Sequence, residues 1–371
     1  VRDFAWTRTP WIRLAAVVLA YLIVCGVLSQ YDIPSGLNRG LSWGRFPLFA
    51  IALSHWLLPL DRNFRYLSRS LILLLALVSL DTLIQFLTGT SLSGNHPGSY
   101  ANRLTGPFGD KMVVGLFLTR LAWPAIGLAF AASWTQPSLI RRFGPGLALA
   151  ALFGITILLS GERMAFGLFL LTATLFWLGA KGMRLVLLGA GVVMAVAACG
   201  IVFFNPLMHD RFLTTTAPVV QNFDDSPYGA ILGNALKTWE LDPVTGVGPK
   251  NFVAACEKEG PKLGFRSEAP GTVFNCARHP HNIYLEWLAE TGVIGLALFI
   301  GLIGLWGREV YAGLRHTSLP HYIIVLGFGV GLVPFLWPLM TSMSFFINWS
   351  AILFWWVLGL ALVRRAPAAK V

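Results

Sequence analysis

Charged side chains are scarce in this sequence of 371 residues, because Asp, Glu, Lys and Arg make up only 12% of it while 56% of it is hydrophobic. So little charge, with a mean hydropathy of +0.66, excludes an ordinary water-soluble domain. The net charge of +11 raises the question of nucleic-acid binding. The basic residues, however, are scattered between apolar segments, so the composition indicates a membrane protein that interacts with lipids and not with nucleic acid.

Cysteines are also few, and four of them exclude a disulfide scaffold. Cys25 and Cys199 lie in apolar segments and are interpreted as packing residues. Cys256 and Cys276 share one polar segment, and they could form a disulfide if that segment faces an oxidising compartment.

The motifs of common soluble enzymes are missing as well. Gly246–Val247–Gly248 has neither the strand–loop–helix setting nor the Lys–Ser ending of a nucleotide-binding loop. His279 and His281 are two residues apart, so they would not share a helix face, and no carboxylate or cysteine pair completes a metal-binding set. The sequence therefore predicts an activity without a metal ion or a cofactor.

What the sequence has is a series of ten segments long and apolar enough to cross a hydrocarbon layer of ~30 Å. They are residues 12–29, 43–60, 68–88, 112–133, 143–160, 164–180, 184–204, 283–306, 320–340 and 346–363. Basic residues cluster at both chain ends and after every even-numbered segment, which predicts that these parts are cytoplasmic. The predicted fold class is an all-α integral membrane protein, a polytopic helical bundle.

Three parts are predicted along the chain: N-terminal transmembrane helices in 1–204, a large periplasmic loop in 205–282, and C-terminal transmembrane helices in 283–371. The length of the loop indicates a folded subdomain with short helices and not a simple connection. Within the loop, 228–240 predicts a short helix, 242–249 a tight turn and 257–275 an irregular segment.

The polar loop ends where the last group of apolar segments begins, in residues 276–286. Pro280 suits the first position of a helix, which would place His281 and Asn282 in the first turn. Free N–H groups and the helix dipole favour anions there and disfavour an imidazolium. We therefore expect His281 to stay neutral and able to accept a proton.

Further along the same predicted helix, Glu286 and Glu290 lie on one stripe with Asn282. They could pair with loop arginines, or one could serve as a second acid–base group. Gly292 and Gly295 follow, and two glycines at this spacing would let another helix approach closely.

Arginines near the predicted membrane surface form a second group of candidates. Arg163 lies beside Glu162 at the end of a span, where it could form a local ion pair or bind phosphate oxygens through its forked N–H groups. Arg120 lies inside a span and is expected to face a cavity or an acid such as Asp81. Three outer-loop arginines could form an electropositive pocket or could be solvated surface charges: Arg211, Arg266 and Arg278.

Three stretches of the sequence resemble one family. His281–Asn282, followed after nine residues by Gly292 and after two more by Gly295, resembles the signature of O-antigen ligases, and more loosely that of O-antigen polymerases of the same superfamily. Residues 159–163 are similar to the family's small-residue–arginine turn between two spans, and residues 242–252 are similar to its proline–glycine turn. The resemblance covers about 150–310 well, and the first spans only by hydropathy.

This resemblance implies a GT-C type membrane glycosyltransferase, usually with about twelve spans, whose donor is a glycan on undecaprenyl diphosphate. Its histidine corresponds to His281 and its inter-span arginine to Arg163. A further family arginine has no counterpart in residues 227–230, and it could be replaced by one of three others: Arg211, Arg266 or Arg278.

The resulting hypothesis is an O-antigen ligase of lipopolysaccharide biosynthesis, with 10–12 spans and its active site on the periplasmic side of the bacterial inner membrane. It would transfer glycan to a hydroxyl of lipid A–core with inversion. The predicted catalytic residues are His281, Arg163 and Arg278. The predicted substrate-binding residues are Arg211, Arg266, Arg120, Asn282, His279 and Glu162.

Two alternatives stay open. One is a polymerase of the same superfamily, which would extend a lipid-linked repeat. The other is a transporter of polyprenyl-linked glycans, for which intramembrane Arg120 and Asp81 would be suitable. The size of the outer loop and the lack of repeated halves argue against the transporter.

Overall fold

The computed structural model describes residues 4–58, 61–98, 103–216, 221–224, 226–266, 276, 279–315, 318–339 and 343–363. Within these ranges the chain is mostly helical and contains no β-strand, which confirms the predicted all-α class. The α-helices described are Pro10–Leu28 (α1), Ile33–Trp43 (α2), Arg45–Ile51 (α3), Asp61–Thr88 (α4), Val114–Ser133 (α5), Leu139–Leu159 (α6), Arg163–Gly179 (α7), Arg184–Phe204 (α8), Pro206–His209 (α9), Pro227–Leu241 (α10), Phe252–Leu263 (α11), Ile283–Leu314 (α12), Leu319–Leu336 (α13) and Asn348–Ala361 (α14).

Seven of the described helices are long and apolar enough to cross a membrane, namely α1, α4, α5, α6, α8, α12 and α13. The shorter apolar helices α7 and α14 coincide with two further predicted spans. The predicted span at 43–60 is wrong as one continuous helix, because α2, α3 and a π-helical segment, Ala52–Leu57, follow one another there. Pro47 has no N–H to donate to the carbonyl of Trp43, so a continuous helix would lack one hydrogen bond at this point.

The chain forms two compact units. Unit 1 consists of Val1–Trp56, Pro218–Glu309 and Leu336–Gly359, and it contains α1–α3, α10, α11, most of α12 and nearly all of α14. Unit 2 consists of Leu57–Ala217, Val310–Phe335 and Leu360–Val371, and it contains α4–α9 and α13. The two units are defined by contacts within the protein. The predicted boundaries at residues 204 and 282 separate membrane helices from a loop, so the two units do not test them and they stay a prediction.

The core of unit 2 is built around α5. Most of α5 is buried, and it packs against α4, α6 and α7. It also crosses α13 closely, because a Cβ at Gly327 would lie 2.6 Å from the carbonyl oxygen of Trp123. By contrast, the described part of α8 has no buried residue, so this helix lies at the periphery of the unit.

In unit 1, α12 is broken at Gly292, whose φ of 64° and ψ of −171° are not helical. The break leaves the carbonyls of Ala289 and Glu290 without helical partners, and they accept N–H groups of Val247 and Gly248 at 3.0 Å each. The predicted turn at 242–249 is therefore present and is hydrogen-bonded to α12.

At the contact between α12 and this turn, neither Gly292 of α12 nor Gly246 of the turn has room for a side chain. A Cβ at Gly292 would lie 2.1 Å from the carbonyl oxygen of Val244, and one at Gly246 would lie 2.4 Å from the carbonyl carbon of Glu290. The expectation of a helix against Gly292 is wrong, since the backbone of a turn packs there. At Gly295 a helix does approach, because a Cβ would lie 3.1 Å from the Tyr21 ring on α1.

The helices of the large loop at 205–282 agree with the sequence predictions in part. The short helix predicted at 228–240 is confirmed as α10, where Ser226 Oγ caps the helix by accepting the Gly229 N–H at 3.2 Å. The irregular segment predicted at 257–275 is wrong over its first part, because α11 extends to Leu263. Pro261 lies in the last turn, where its missing N–H removes only one bond before the helix ends at Gly264. Residues 267–275 lie outside the described part.

The sequence interpretation agrees with the structure for three of the four cysteines, and the packing role of Cys199 is wrong. Cys256 on α11 and Cys276 form a disulfide, which confirms that possible pairing. Cys25 is free and buried, in agreement with a packing role, whereas Cys199 is free but exposed on α8. The Cys256–Cys276 bond ties the segment before His279 to α11.

Replacing Gly292 with alanine is expected to destabilise the protein by at least ~1–3 kcal/mol, because the left-handed φ is strained for alanine and the new Cβ meets the Val244 carbonyl. Thermal unfolding in detergent would measure this. Gly304→Ala on the same helix is the matched control, since no atom lies within 4 Å of its Cβ position. Equal melting temperatures for the two variants would contradict the strain.

Candidate functional site

The histidine pair lies in unit 1, directly before α12. Asn282 is the N-cap of this helix, and its Oδ1 accepts the N–H groups of Tyr284 at 3.0 Å and Leu285 at 3.2 Å. Its Nδ2 donates to the carbonyl of Pro338 at 2.7 Å. The expectation that Pro280 begins the helix is therefore wrong, because asparagine is a preferred N-cap. The N–H groups expected to attract an anion are occupied by this cap.

His281 lies one residue before the N-cap and has a left-handed backbone, with φ of 54°. This conformation is uncommon for a residue with a side chain and is often found at functional sites. The ring of His281 contacts the ring of His279, with 4.1 Å between the centroids. Both ring nitrogens of His279 are shielded from solvent and have no hydrogen-bond partner within the part of the chain that is described.

Burial controls the charge of both rings. It lowers the pKa of His281 below the ordinary histidine value. Burial, with the nearby His281 as a smaller cause, lowers the pKa of His279 to about 3. Both imidazoles are therefore neutral at pH 7, and desolvation rather than the helix dipole is the reason. A neutral imidazole at this position can accept a proton.

The two carboxylates that follow on α12 hold other segments in place. Glu286 accepts the N–H of Phe345 at 2.7 Å, and Glu290 accepts the N–H of Lys250 at 2.7 Å. Both side chains are buried. Neither forms an ion pair with a loop arginine among the residues described. These contacts give both carboxylates a structural role.

Arg266 also belongs to unit 1. Its guanidinium donates to the carbonyl of Asp224 at 2.7 Å and to that of Gly229 at 3.5 Å. Its main chain exchanges two hydrogen bonds with the Asn234 side chain, at 2.9 and 2.8 Å. Arg266 thus brings a guanidinium to the first turn of α10, the segment 227–230 that carries no arginine of its own. Arg278 lies outside the described residues.

In unit 2 the turn between α6 and α7 brings two candidate arginines together. Arg211 is buried and donates through Nε to the carbonyl of Gly161, whose φ is +74°. Arg163 donates to Thr216 Oγ1 at 2.9 Å, and that hydroxyl donates to the carbonyl of Arg211 at 3.2 Å. Arg163 and Arg211 are therefore linked through one threonine.

Glu162, in the same turn, is already engaged by protein groups. Its Oε1 accepts the N–H of Gly115 at 2.6 Å, its Oε2 accepts that of Leu116 at 3.3 Å, and Arg103 lies 3.3 Å from the carboxylate. Burial raises the pKa of Glu162, and the Arg103 guanidinium and the two N–H groups oppose this. Glu162 thus caps α5 and neutralises Arg103, a residue that no motif in the sequence marks.

Arg120 is almost fully buried in α5, with 2% of it exposed. Its guanidinium stacks on the ring of Phe335 at 4.6 Å, and its Nε has no hydrogen-bond partner in the part of unit 2 that is described. The suggested ion pair with Asp81 is not formed, since Asp81 accepts the Leu92 N–H instead.

Four arginines of unit 2 thus lie at or near the turn between α6 and α7. Arg103 contacts Glu162 and Arg120 interacts with it electrostatically, whereas Arg211 contacts Gly161 and is linked to Arg163 through Thr216. We call them the arginine cluster: Arg103, Arg120, Arg163 and Arg211. Guanidinium groups concentrated near one turn favour an anionic ligand. Among the described residues no group of three or more His, Cys, Asp or Glu side chains could hold a metal ion.

Comparison with known proteins identifies the central part of the chain. Residues 147–300 match a family model described as O-Antigen ligase. This stretch extends from α6 into α12 and includes Arg163, Arg211, Arg266 and His281. No curated protein matches the chain. The match at residues 147–300 supports an assignment of this part of the chain to the O-antigen ligase-like superfamily.

Proposed function

We propose that this protein is a GT-C type glycosyltransferase of the bacterial inner membrane, which transfers a glycan from undecaprenyl diphosphate to a hydroxyl of lipid A–core. The observation that carries the proposal is His281, an imidazole kept neutral by burial directly before α12. The family match and the anion-favouring arginine cluster support it.

His281 serves as the general base in this proposal. It accepts the proton of the acceptor hydroxyl while the oxygen attacks the anomeric carbon of the donor glycan. The bond from that carbon to the diphosphate oxygen breaks, and polyprenyl diphosphate leaves. Attack from the side opposite the leaving group inverts the anomeric carbon.

Arg163 and Arg211 bind the diphosphate, and Arg278 of the outer loop is the third proposed cation. A guanidinium carries five N–H donors, so the single bond from Arg163 to Thr216 leaves donors for phosphate oxygens. Arginines here stabilise the charge that grows on the leaving group, and the proposed step therefore uses no metal ion.

The disulfide supports a periplasmic location for this chemistry. Cys256 and Cys276 both belong to the large loop, and disulfides persist in the periplasm but not in the bacterial cytoplasm. The charge pattern of the sequence independently predicts that this loop is outside.

Ligase is favoured over polymerase because the spacing from His281–Asn282 to Gly292 and Gly295 is closer to the ligase signature. The two activities differ in their acceptor. In a deletion strain, loss of polymer attachment with lipid-linked chains of normal length supports a ligase, whereas single attached repeats support a polymerase.

His281→Ala is expected to lower the rate of glycan transfer by ~10²–10⁴-fold with little change in donor binding, because it removes the base alone. Single-turnover kinetics of the purified variant would measure the rate. His96→Ala, at an exposed histidine, is the control. Full activity of His281→Ala would refute the role of base.

Two substitutions of Arg163 distinguish the contribution of its charge to donor binding from that of its hydrogen-bonding geometry. Arg163→Ala is expected to weaken donor binding by roughly tenfold or more. Arg163→Lys is expected to recover only part of this affinity, because lysine keeps the positive charge but not the planar pair of N–H donors. Donor titration of the transfer rate would show this, with exposed Arg141→Ala as control. Normal donor affinity in both Arg163 variants would contradict the proposed contact.

A further inference from the structure

The histidine pair of unit 1, His279 and His281, lies on a short segment that is fixed at both ends. At the downstream end, Asn282 caps α12 through two hydrogen bonds. At the upstream end, Cys276 is bonded to Cys256 of α11. The pair therefore lies between one hydrogen-bonded attachment and one covalent attachment.

The helix α11 is itself well anchored, so it can hold this segment in place. Cys256 and Cys276 belong to one buried apolar cluster with Phe265. Phe252, in the first turn of α11, belongs to a second buried cluster with Ala289 of α12. The disulfide therefore joins the segment that carries the histidines to a helix that shares a buried core with α12.

The position of the two rings depends on these attachments. The ring of His279 contacts that of His281, with 4.1 Å between the centroids, and has no hydrogen-bond partner among the described residues. The left-handed φ of 54° at His281 is uncommon for a residue with a side chain, and such a backbone persists only where the surrounding structure holds it. The fixed ends of the segment provide this restraint.

Opening the disulfide would remove the covalent attachment on the upstream side of the pair. His279 follows Cys276 by three residues, which keeps the two Cα atoms within roughly 11 Å of each other. The preceding hydrogen-bonded attachment among the described residues is Arg266, whose main chain is bonded to the side chain of Asn234. The chain from Arg266 to His279 can span roughly 47 Å when extended, so Arg266 restrains His279 far less than Cys276 does.

We propose that Cys256 and Cys276 are positioning residues for His281, so that glycan transfer requires their disulfide and is lost reversibly when the bond is reduced. This role rests on the proposed function, in which His281 is the base. A base must lie within hydrogen-bond reach of the proton that it accepts, and a misplacement of about 1 Å can lower a rate by ~10²-fold.

Formation of this bond needs a partner of defined chemistry. As the S–S bond between Cys256 and Cys276 forms, the two thiols lose two protons and two electrons to an oxidant. We assign this role to a thiol–disulfide oxidoreductase, whose own disulfide accepts the electrons and protons and becomes a dithiol. Glycan transfer by this protein therefore depends on an oxidoreductase of that class.

Two variants of the full chain in detergent test the positioning role, at a temperature below the unfolding transition of both. Cys256→Ala/Cys276→Ala removes the disulfide, and Cys199→Ala, at a free and exposed cysteine, is the matched control. At saturating donor, the double variant is expected to transfer glycan ~10–100-fold more slowly than the wild type, and the control at the wild-type rate. A bond that only stabilises the fold would lower the melting temperature and leave the rate unchanged, which would overturn the proposal.

Reduction of the wild-type protein gives a second comparison, which decides the matter if the double variant does not fold. Dithiothreitol is expected to lower the transfer rate as the thiols of Cys256 and Cys276 appear, and oxidised glutathione is expected to restore the rate with the bond. Alkylation and mass spectrometry follow the thiols. A reduced protein that keeps the full rate, or a loss of rate that reoxidation does not reverse, would contradict the positioning role.

Histidine accessibility separates this role from the activity. Diethyl pyrocarbonate, which modifies accessible neutral imidazoles, is expected to react several-fold faster with His279 and His281 in the double variant, and equally with the exposed His96. Faster modification, in a protein whose oxidised form transfers no glycan, would overturn the proposed function and keep the positioning role. Normal transfer by the double variant with unchanged modification would overturn the positioning role and keep the proposed function.

Discussion

The break of α12 at Gly292 is the backbone constraint on which the contact between α12, α1 and the loop turn of unit 1 depends. It releases two carbonyls, which bind the N–H groups of Val247 and Gly248. The hydroxyl of Tyr21 donates to the carbonyl of Thr291 at 2.9 Å and fixes α1 to the same point. The loop turn, α1 and the helix that begins just after His281 are thus held together by main-chain groups, and glycine is needed because no Cβ fits between them.

The two proposed chemical roles, base and diphosphate binding, need opposite charge states: an uncharged imidazole and charged guanidinium groups. In unit 1, burial keeps the imidazole of His281 uncharged, so it can act as a base near neutral pH. In unit 2, a buried carboxylate and several backbone oxygens hold arginines in place. Glu162 is the counter-charge of Arg103, and because it also caps α5, removing it would disturb both the helix and Arg103. In the proposed function, Arg163 and Arg211 bind the diphosphate.

Much of the fold could be predicted from sequence, since apolar length and turn residues determine where membrane helices and the loop helix α10 occur. It was harder to predict from the sequence which of several neighbouring residues begins or ends a helix. Asn282 rather than Pro280 determines the start of α12, and Pro261 is tolerated because it lies in the final turn of α11.

The candidate site was predictable only where a motif marked it, as at His281 and Arg163. The pairing of Arg103 with Glu162 joins residues far apart in the chain, so no spacing rule could indicate it. The contact between His279 and His281 was also unexpected, because the two residues precede α12 and the helical spacing used to separate them does not apply.

The most direct test is the pH dependence of glycan transfer by the purified protein at saturating donor. The account predicts a glycosidic product with an inverted anomeric carbon. It also predicts a rate that stays at its plateau as the pH falls to the ordinary histidine pKa of ~6.5 and declines only below it, since His281 titrates lower. Absence of a glycosidic product, or a decline centred at or above that value, would contradict it.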